Sequence, residues 1–385
     1  MKSSADKFWS FTFYLLFFAG AVAAANFYAL YFEQQGIPGS QIGVLMGLAS
    51  LVGFFSGPMW SGLADSRRQH RLVLSLVILG NATAVFLIPF FRTFIGFLVL
   101  MILQAFFRGP ILPIMDSTTV AMLGDEKEKY GRIRLGGTIG WGLAAPVVGV
   151  IAEHFGLRWN FTFYSVALLV ALIVVQRLRF QSVSAGVPLF SGVKELLRNR
   201  EWIVFLLIVF IGGSGNAAIT NYLLVYLQKI GASPTWMGWA LTISTLAEAP
   251  AMFFANKLMK RLGPRGLLTL GLAAMSLRCG LYGLITVPWA ALTVQLLQFF
   301  TFPILLVAGV SYADRNAPPG LGATAQSLFS SAFLGFGFAA GGFLGGILIQ
   351  YLGVQQMFLT IAAVLLPVAL VLGLAQRLQT KSRPA

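Results

Sequence analysis

Charge is scarce in this chain: only 10% of the 385 residues are Asp, Glu, Lys or Arg, and acids are the rarer sign, 12 against 27. A soluble domain of this length must cover its surface with charge, so a water-exposed globular protein is excluded. Cysteine occurs once, as Cys279 inside an apolar run, which removes both a disulfide framework and a thiol metal site. The two histidines, His70 in a loop and His154 at a helix end, lack the partners needed to ligate a metal. No Ser-His-Asp set, metal spacing or phosphate loop is visible, and the Gly-rich stretches fall within apolar runs. The sequence therefore predicts no enzyme, no cofactor and no metal.

Hydrophobic residues, by contrast, make up 57% of the chain, and the mean hydropathy is +0.81. Apolar runs fall near 8–33, 41–64, 72–91, 94–122, 132–154 and 160–178, then near 201–228, 236–259, 266–287, 289–313, 322–349 and 356–376. Each suits a membrane span of roughly 20–25 residues. The first, from Phe8 to about Phe32, is too long for a signal-peptide core and has no sensibly placed cleavage site. The formal charge of +15 does not point to nucleic acid, because Lys and Arg cluster between the runs rather than along one face. Counting the loops places 22 of them on one side and only Arg92, Arg158 and Lys229 on the other. The basic side is the cytoplasmic one, so both termini are expected there, in a multi-pass cell (inner) membrane protein.

The chain repeats itself. Asn26-Phe27, Tyr31, Gly36 and Gly43 recur 195 residues later as Asn221-Tyr222, Tyr226, Gly231 and Gly238. Gly149, Gly156 and Phe161 recur 197 residues later as Gly346, Gly353 and Phe358. The first span thus matches the seventh and the fifth the eleventh, in the same sense, as two parallel six-helix halves require. The expected organisation is an N-terminal half over 1–178, a cytoplasmic linker over 179–200 and a C-terminal half over 201–385. Within the linker, Ser191 is placed to cap a short amphipathic helix from Gly192 to Arg200 on the inner membrane surface.

The loop after the second span reads Gly62-Leu63-Ala64-Asp65-Ser66-Arg67-Arg68-Gln69-His70-Arg71. It resembles the signature loop of the major facilitator superfamily, although Arg68 stands where that family usually has glycine. The resemblance implies an all-α membrane fold of twelve helices and a gate in which Asp65 meets a helix N-terminus and the basic residues Arg67, Arg68 and Arg71. A carboxylate gains energy at a positive helix end only while that end is near. The second copy of the loop has Lys260 at the aspartate position.

Tyr130-Gly131-Arg132-Ile133-Arg134-Leu135-Gly136-Gly137-Thr138-Ile139-Gly140-Trp141 is similar to the fifth span of the lactose-permease-like symporters and their phenylpropionate-permease-like relatives. Asp116, 18 residues before Arg134, stands where the resemblance implies a substrate-binding acid. Arg134, Thr138 and Trp141 are spaced i, i+4, i+7 and share a helix face. A guanidinium and an indole there can hold a ring by hydrogen bonding and stacking. The register continues through Met252-Phe253-Phe254-Ala255, Ser276-Leu277-Arg278 and Phe302-Pro303-Ile304-Leu305-Leu306-Val307. What the resemblance does not carry over is the proton wiring. The proton-carrying His and Glu of that group fall on Gln298 and Thr301, the eighth-span acid on Thr245, and an Asp–Lys pair on Asn216 and Gln295.

Glu248 and Arg278 remain, each about 12 residues from a span end and so roughly 18 Å deep. Ionisable groups there cost a few kcal/mol each unless they face a cavity or one another. Arg108 is a further buried cation and a candidate partner for Asp116, eight residues on, although two helical turns is a long reach for a direct contact. Pro110 and Pro113 are expected to break the fourth span just before Asp116 and bend that acid toward the cavity. Gly136 and Gly140, and Gly337, Gly341 and Gly345, are spaced for close helix contact. The expected activity is proton-coupled symport of a small ring-bearing solute (a glycoside, nucleoside or aromatic acid) by a monomer in the lipid bilayer. Asp116, Arg134, Thr138, Trp141, Asn221 and Glu248 are the expected binding residues. Glu248, Asp116 and Arg278 are expected to handle the proton. A proton-driven exporter and a non-transporting membrane receptor are the alternatives.

Overall fold

The computed structural model describes residues 2–178, 180, 192–319 and 321–381. Among these there is no strand, and the chain groups into two compact units. The first unit comprises Met1–Gly186 together with Ala232–Thr242, and the second Val187–Gly231 together with Ile243–Ala385.

The first unit contains α1 (Lys2–Ala25), α2 (Tyr28–Gln34), α3 (Gly39–Arg67), α4 (His70–Leu87), α5 (Phe94–Arg108), α6 (Ile111–Leu123), α7 (Tyr130–Phe155) and α8 (Arg158–Arg177). In the second lie α9 (Val193–Arg198), α10 (Arg200–Lys229), most of α11 (Pro234–Leu284), α12 (Pro288–Val294), α13 (Phe302–Asn316), α14 (Gly322–Ser330), α15 (Phe338–Leu352) and α16 (Val354–Lys381). Ten stretches among the described residues are long and apolar enough to cross a membrane. One of them, Phe94–Phe155, has 62 residues. As one helix it would run roughly 93 Å, about three times a hydrocarbon core, so its breaks matter.

Four expected spans are broken in their interior, the first of them at Asn26-Phe27 between α1 and α2. The fourth is interrupted at Gly109-Pro110, between α5 and α6, because Pro110 has no N–H to give back to the preceding turn. Pro113, also expected to break it, sits in the first turn of α6, where proline is tolerated. The tenth passes from α12 into a 3-10 segment, Gln295–Phe300, before restarting at α13 beyond Thr301. In the eleventh, a π-helical stretch, Ser331–Gly337, separates α14 from α15. The linker helix is shorter than expected, Val193–Arg198, and Ser191 lies outside the described residues, as does most of 179–200. Met252 and Phe253 lie within α11, but their side chains are outside what is described.

Turns obey the repeat. Gly36 and its counterpart Gly231 have φ of 78° and 85°, and Gly156 and Gly353 have 91° and 82°, a region open to glycine at no steric cost. Arg68 adopts φ 54° and closes α3 in the left-handed conformation, the one described non-glycine residue to do so. The backbone therefore keeps the glycine-like turn that the sequence lacks. Packing repeats too. A Cβ on Gly140 would stand 2.1 Å from the Leu15 carbonyl oxygen, and one on Gly341 would stand 2.2 Å from that of Ser214. These glycines let α7 lie against α1, and α15 against α10.

Residues 232–242 join the first unit for a visible reason. Gly238 sits so close to Ala145 that an added Cβ would be 2.4 Å from its carbonyl oxygen, and Thr242 donates to the Gly142 carbonyl at 3.0 Å. The Glu153 carboxylate accepts from Ser233 Oγ at 2.8 Å and from the Thr235 backbone N–H at 3.0 Å, the N-terminal turn of α11.

Candidate functional site

In the first unit the expected residues Asp116, Arg134 and Trp141 are brought together by three helices. Arg134 Nε lies 3.7 Å from Asp116 Oδ1, linking α7 to α6. That oxygen also accepts from the Tyr14 hydroxyl of α1 at 2.6 Å, and Tyr14 reaches Thr119 Oγ1 at 3.3 Å. Tyr130, at the start of α7, lies near the same carboxylate. The guanidinium of Arg134 stands 5.0 Å from the Tyr14 ring centroid and 4.4 Å from that of Phe18. Phe18 in turn contacts Trp141, with centroids 6.3 Å apart. Asp116, Ser117, Val120, Lys127 and Tyr130 line an open cleft of about 680 Å³. Thr138 is exposed one turn beyond Arg134. Tyr14 and Phe18 were not singled out from the sequence, although their i, i+4 spacing in the first span was the available signal.

Arg108 does not pair with Asp116. It is exposed at the end of α5, near the Tyr164 hydroxyl of α8, with no carboxylate within 4.0 Å among the described residues. The break at Gly109-Pro110 places the two side chains on different helical segments.

In the second unit Arg278 is 1% exposed and surrounded by neutral acceptors. Its Nη2 donates to Gln295 Oε1 at 2.6 Å, Nη1 to Gln298 Oε1 and, at 3.4 Å, to Thr301 Oγ1. Its Nε donates to the Tyr282 hydroxyl at 3.0 Å. Gln295, Gln298 and Thr301 are spaced i, i+3, i+6, and the 3-10 segment with three residues per turn stacks them on one face. Glu248 and Arg278 form no ion pair within 4.0 Å among the described residues. Gln298 stands between them: its Oε1 accepts from Arg278 Nη1, and Glu248 is close enough to interact with the same amide. Asn216, on α10, is 5% exposed, and Asn221 is half-buried on the same helix.

The gate residues are arranged differently from the expectation. Asp65 Oδ1 is 2.7 Å from Nε2 of His70, the first residue of α4, so the acid does meet a helix N-terminus. Its partner is the histidine, which is 5% exposed, while Arg67 and Arg68 are exposed. Arg71 Nη2 instead donates to the Leu178 carbonyl at 2.6 Å, and its guanidinium lies 5.7 Å from the Phe180 ring centroid.

Comparison with known proteins places these features. The sequence model of the MFS_1 like family matches residues 8–360. The maltose permease of Geobacillus stearothermophilus is 27% identical over 375 residues, covering 96% of this chain and 94% of that protein. The probable 3-phenylpropionic acid transporter of Escherichia coli is 25% identical, covering 89% of this chain and 90% of its own length. The crystal structure of the nucleoside transporter NupG superposes with a TM-score of 0.86 at 17% identity over 95% of this chain and 98% of that one, which shows the fold. With an all-helical architecture, about ten apolar helices and a family match spanning most of its length, the chain belongs to the MFS_1 like family of multi-pass membrane transporters, which are not enzymes.

Proposed function

We propose that the chain is a proton-coupled symporter for a small ring-bearing organic solute, working by alternating access as a monomer in the cell (inner) membrane. It has twelve spans, both termini in the cytoplasm, and halves over 1–178 and 201–385 joined by 179–200. Asp116, Arg134, Thr138, Trp141, Asn221 and Glu248 bind the solute. Asp65, with Arg67, Arg68 and Arg71 around it, belongs to the inner gate.

The observation that carries the coupling role is the chain Glu248–Gln298–Arg278. An amide transmits polarity but accepts no proton at neutral pH, so Glu248 is the group here that can load and unload one. The neighbouring guanidinium is satisfied by neutral groups and is free to favour the ionised form whenever Glu248 is close. Motion that alters their separation thus changes the proton affinity of the acid, and a solute that biases the motion is coupled to it. Relatives named for maltose and phenylpropionic acid both concern ring-bearing solutes, which supports the substrate class.

The test is reconstitution in proteoliposomes. Uptake of a ring-bearing solute should be driven uphill by an inwardly directed proton gradient and abolished by a protonophore. Flux indifferent to the gradient would refute symport with protons, and solute binding without any flux would favour a receptor.

A further inference from the structure

Among the described residues of the first unit, Arg108 is the one charged side chain deep within a span that the site described above leaves unused. It lies 14 residues from the Phe94 end of α5, roughly 21 Å along the helix, a depth at which an arginine facing hydrocarbon would cost several kcal/mol. Yet the side chain is exposed. The two facts are compatible only if it faces water or solute rather than lipid.

Its surroundings are polar and incompletely paired. Tyr164, which lies near Arg108, is 1% exposed and accepts from Asn81 Nδ2 at 2.9 Å. Tyr28 lies near enough to interact electrostatically with both Arg108 and Tyr164. It is 5% exposed, and its hydroxyl has no hydrogen-bond partner among the described residues. A buried hydroxyl left unpaired costs about 1–3 kcal/mol, so such a group beside a cation is a donor awaiting an acceptor.

The charge balance points the same way. Arg134 is neutralised by Asp116 and sandwiched by Tyr14 and Phe18, whereas Arg108 has no carboxylate within 4.0 Å among the described residues. Position in the membrane agrees as well. Arg108 precedes Asp116 by eight residues and Trp141 follows Arg134 by seven, on segments running in opposite directions. Both are thus displaced the same way from the Asp116–Arg134 pair, by roughly 10–12 Å, and share a level with each other.

Resting on the transport reading above, we propose that Arg108, exposed deep in its span and without a counter-ion among the described residues, receives the carboxylate of the solute. The solute is then an organic acid whose ring is held at the level of Trp141, rather than a neutral sugar or nucleoside. Arginine presents a planar fork that matches a carboxylate, which a lysine does not reproduce.

The experiment compares wild-type protein with Arg108→Gln and Arg108→Lys, using 3-phenylpropionate, benzoate and glucuronate against 3-phenylpropanamide, maltose and uridine. Counterflow in proteoliposomes should favour at least one acid over every neutral probe, and both variants should lower its flux by about tenfold or more. Melting temperatures of the ligand-free variants should equal or exceed that of the wild type, since an uncompensated interior charge opposes folding. A lower melting temperature for Arg108→Gln that Arg108→Lys restores would make Arg108 a cation at the carboxyl end of α5 and overturn the inference. Flux of maltose or uridine undiminished by Arg108→Gln would overturn it too, leaving the transport reading intact. Wild-type protein that neither moves nor is stabilised by any probe would count against both.

Discussion

Arg278 Nη2 donates to Gln295 Oε1 at 2.6 Å in a site where no carboxylate lies within 4.0 Å of the guanidinium among the described residues. A buried cation is therefore stabilised by amide and hydroxyl oxygens alone. Charge-assisted hydrogen bonds of this kind are worth about 1.5–3 kcal/mol each. Removing the acceptor leaves the cost of burial uncompensated. Gln298→Leu should lower the melting temperature and Gln298→Glu, which supplies an ion partner, should raise it. The same Gln298→Glu protein should lose gradient-driven uptake, because Arg278 would then be held by the new acid and Glu248 released from it. Equal melting temperatures in all three proteins would show that the amide contributes nothing to holding Arg278.

Asp116 and Arg134 make a second, independent test. Arg134→Lys retains the charge but loses the planar fork stacked against Tyr14 and Phe18 at 5.0 and 4.4 Å. Solute affinity should fall on the order of tenfold to a hundredfold, the equivalent of about 1.5–3 kcal/mol, with the protein still folded and inserted. Asp116→Asn should do likewise. If isothermal titration finds unchanged affinity in both, the pair is structural.

Close packing of α7 on α1 rests on Gly140. With 2.1 Å between a built Cβ and the Leu15 carbonyl oxygen, Gly140→Ala must push the helices apart. Gly131→Ala, on the same helix but with nothing within 4 Å, is the control. Overpacking costs about 1–3 kcal/mol, so the first variant should melt below the second. Indistinguishable melting curves would mean that the helices yield freely at this point.

Orientation is open to labelling. In a Cys279→Ser background, which removes the native thiol, Ser4→Cys and Ser382→Cys should resist a membrane-impermeant maleimide in intact cells. Lys229→Cys should react. The opposite pattern would invert the topology drawn from the 22-to-3 distribution of basic residues.

Much of this architecture was legible because lipid imposes a simple rule: apolar runs become helices. The repeat was legible for the same kind of reason, since Gly36, Gly156, Gly231 and Gly353 all stand at turns with positive φ. Departures from the α-helix were not. Periodicity assumes 3.6 residues per turn, so Gln295, Gln298 and Thr301 read as drifting around a helix until the 3-10 segment stacks them beside Arg278. Individual partners were equally hidden. Asp65 could have met any of Arg67, Arg68 or Arg71, but His70 is carried to it by the start of α4. Likewise Arg108 looked close to Asp116 in number, and the Gly109-Pro110 break set it against Tyr164.

Glu248 carries the proposed coupling, and its substitution tests the whole cycle. An acid this far along α11 is tolerated if it can be neutral for part of the time, because the neutral form has far less hydration to lose. Arg278, which donates to the Gln298 amide, favours the ionised form of a carboxylate only while the two are near each other. Loading a proton therefore requires this contact to loosen, and releasing it accompanies the return. Glu248→Gln has the shape of the protonated carrier but cannot discharge it. Exchange of solute for solute, which needs no net proton movement, should survive, while uphill accumulation driven by a pH gradient should disappear. Loss of both would assign Glu248 mainly to solute binding. Accumulation undiminished in Glu248→Gln would exclude it as the obligatory carrier and pass that role to Asp116, whose carboxylate lies 3.7 Å from Arg134.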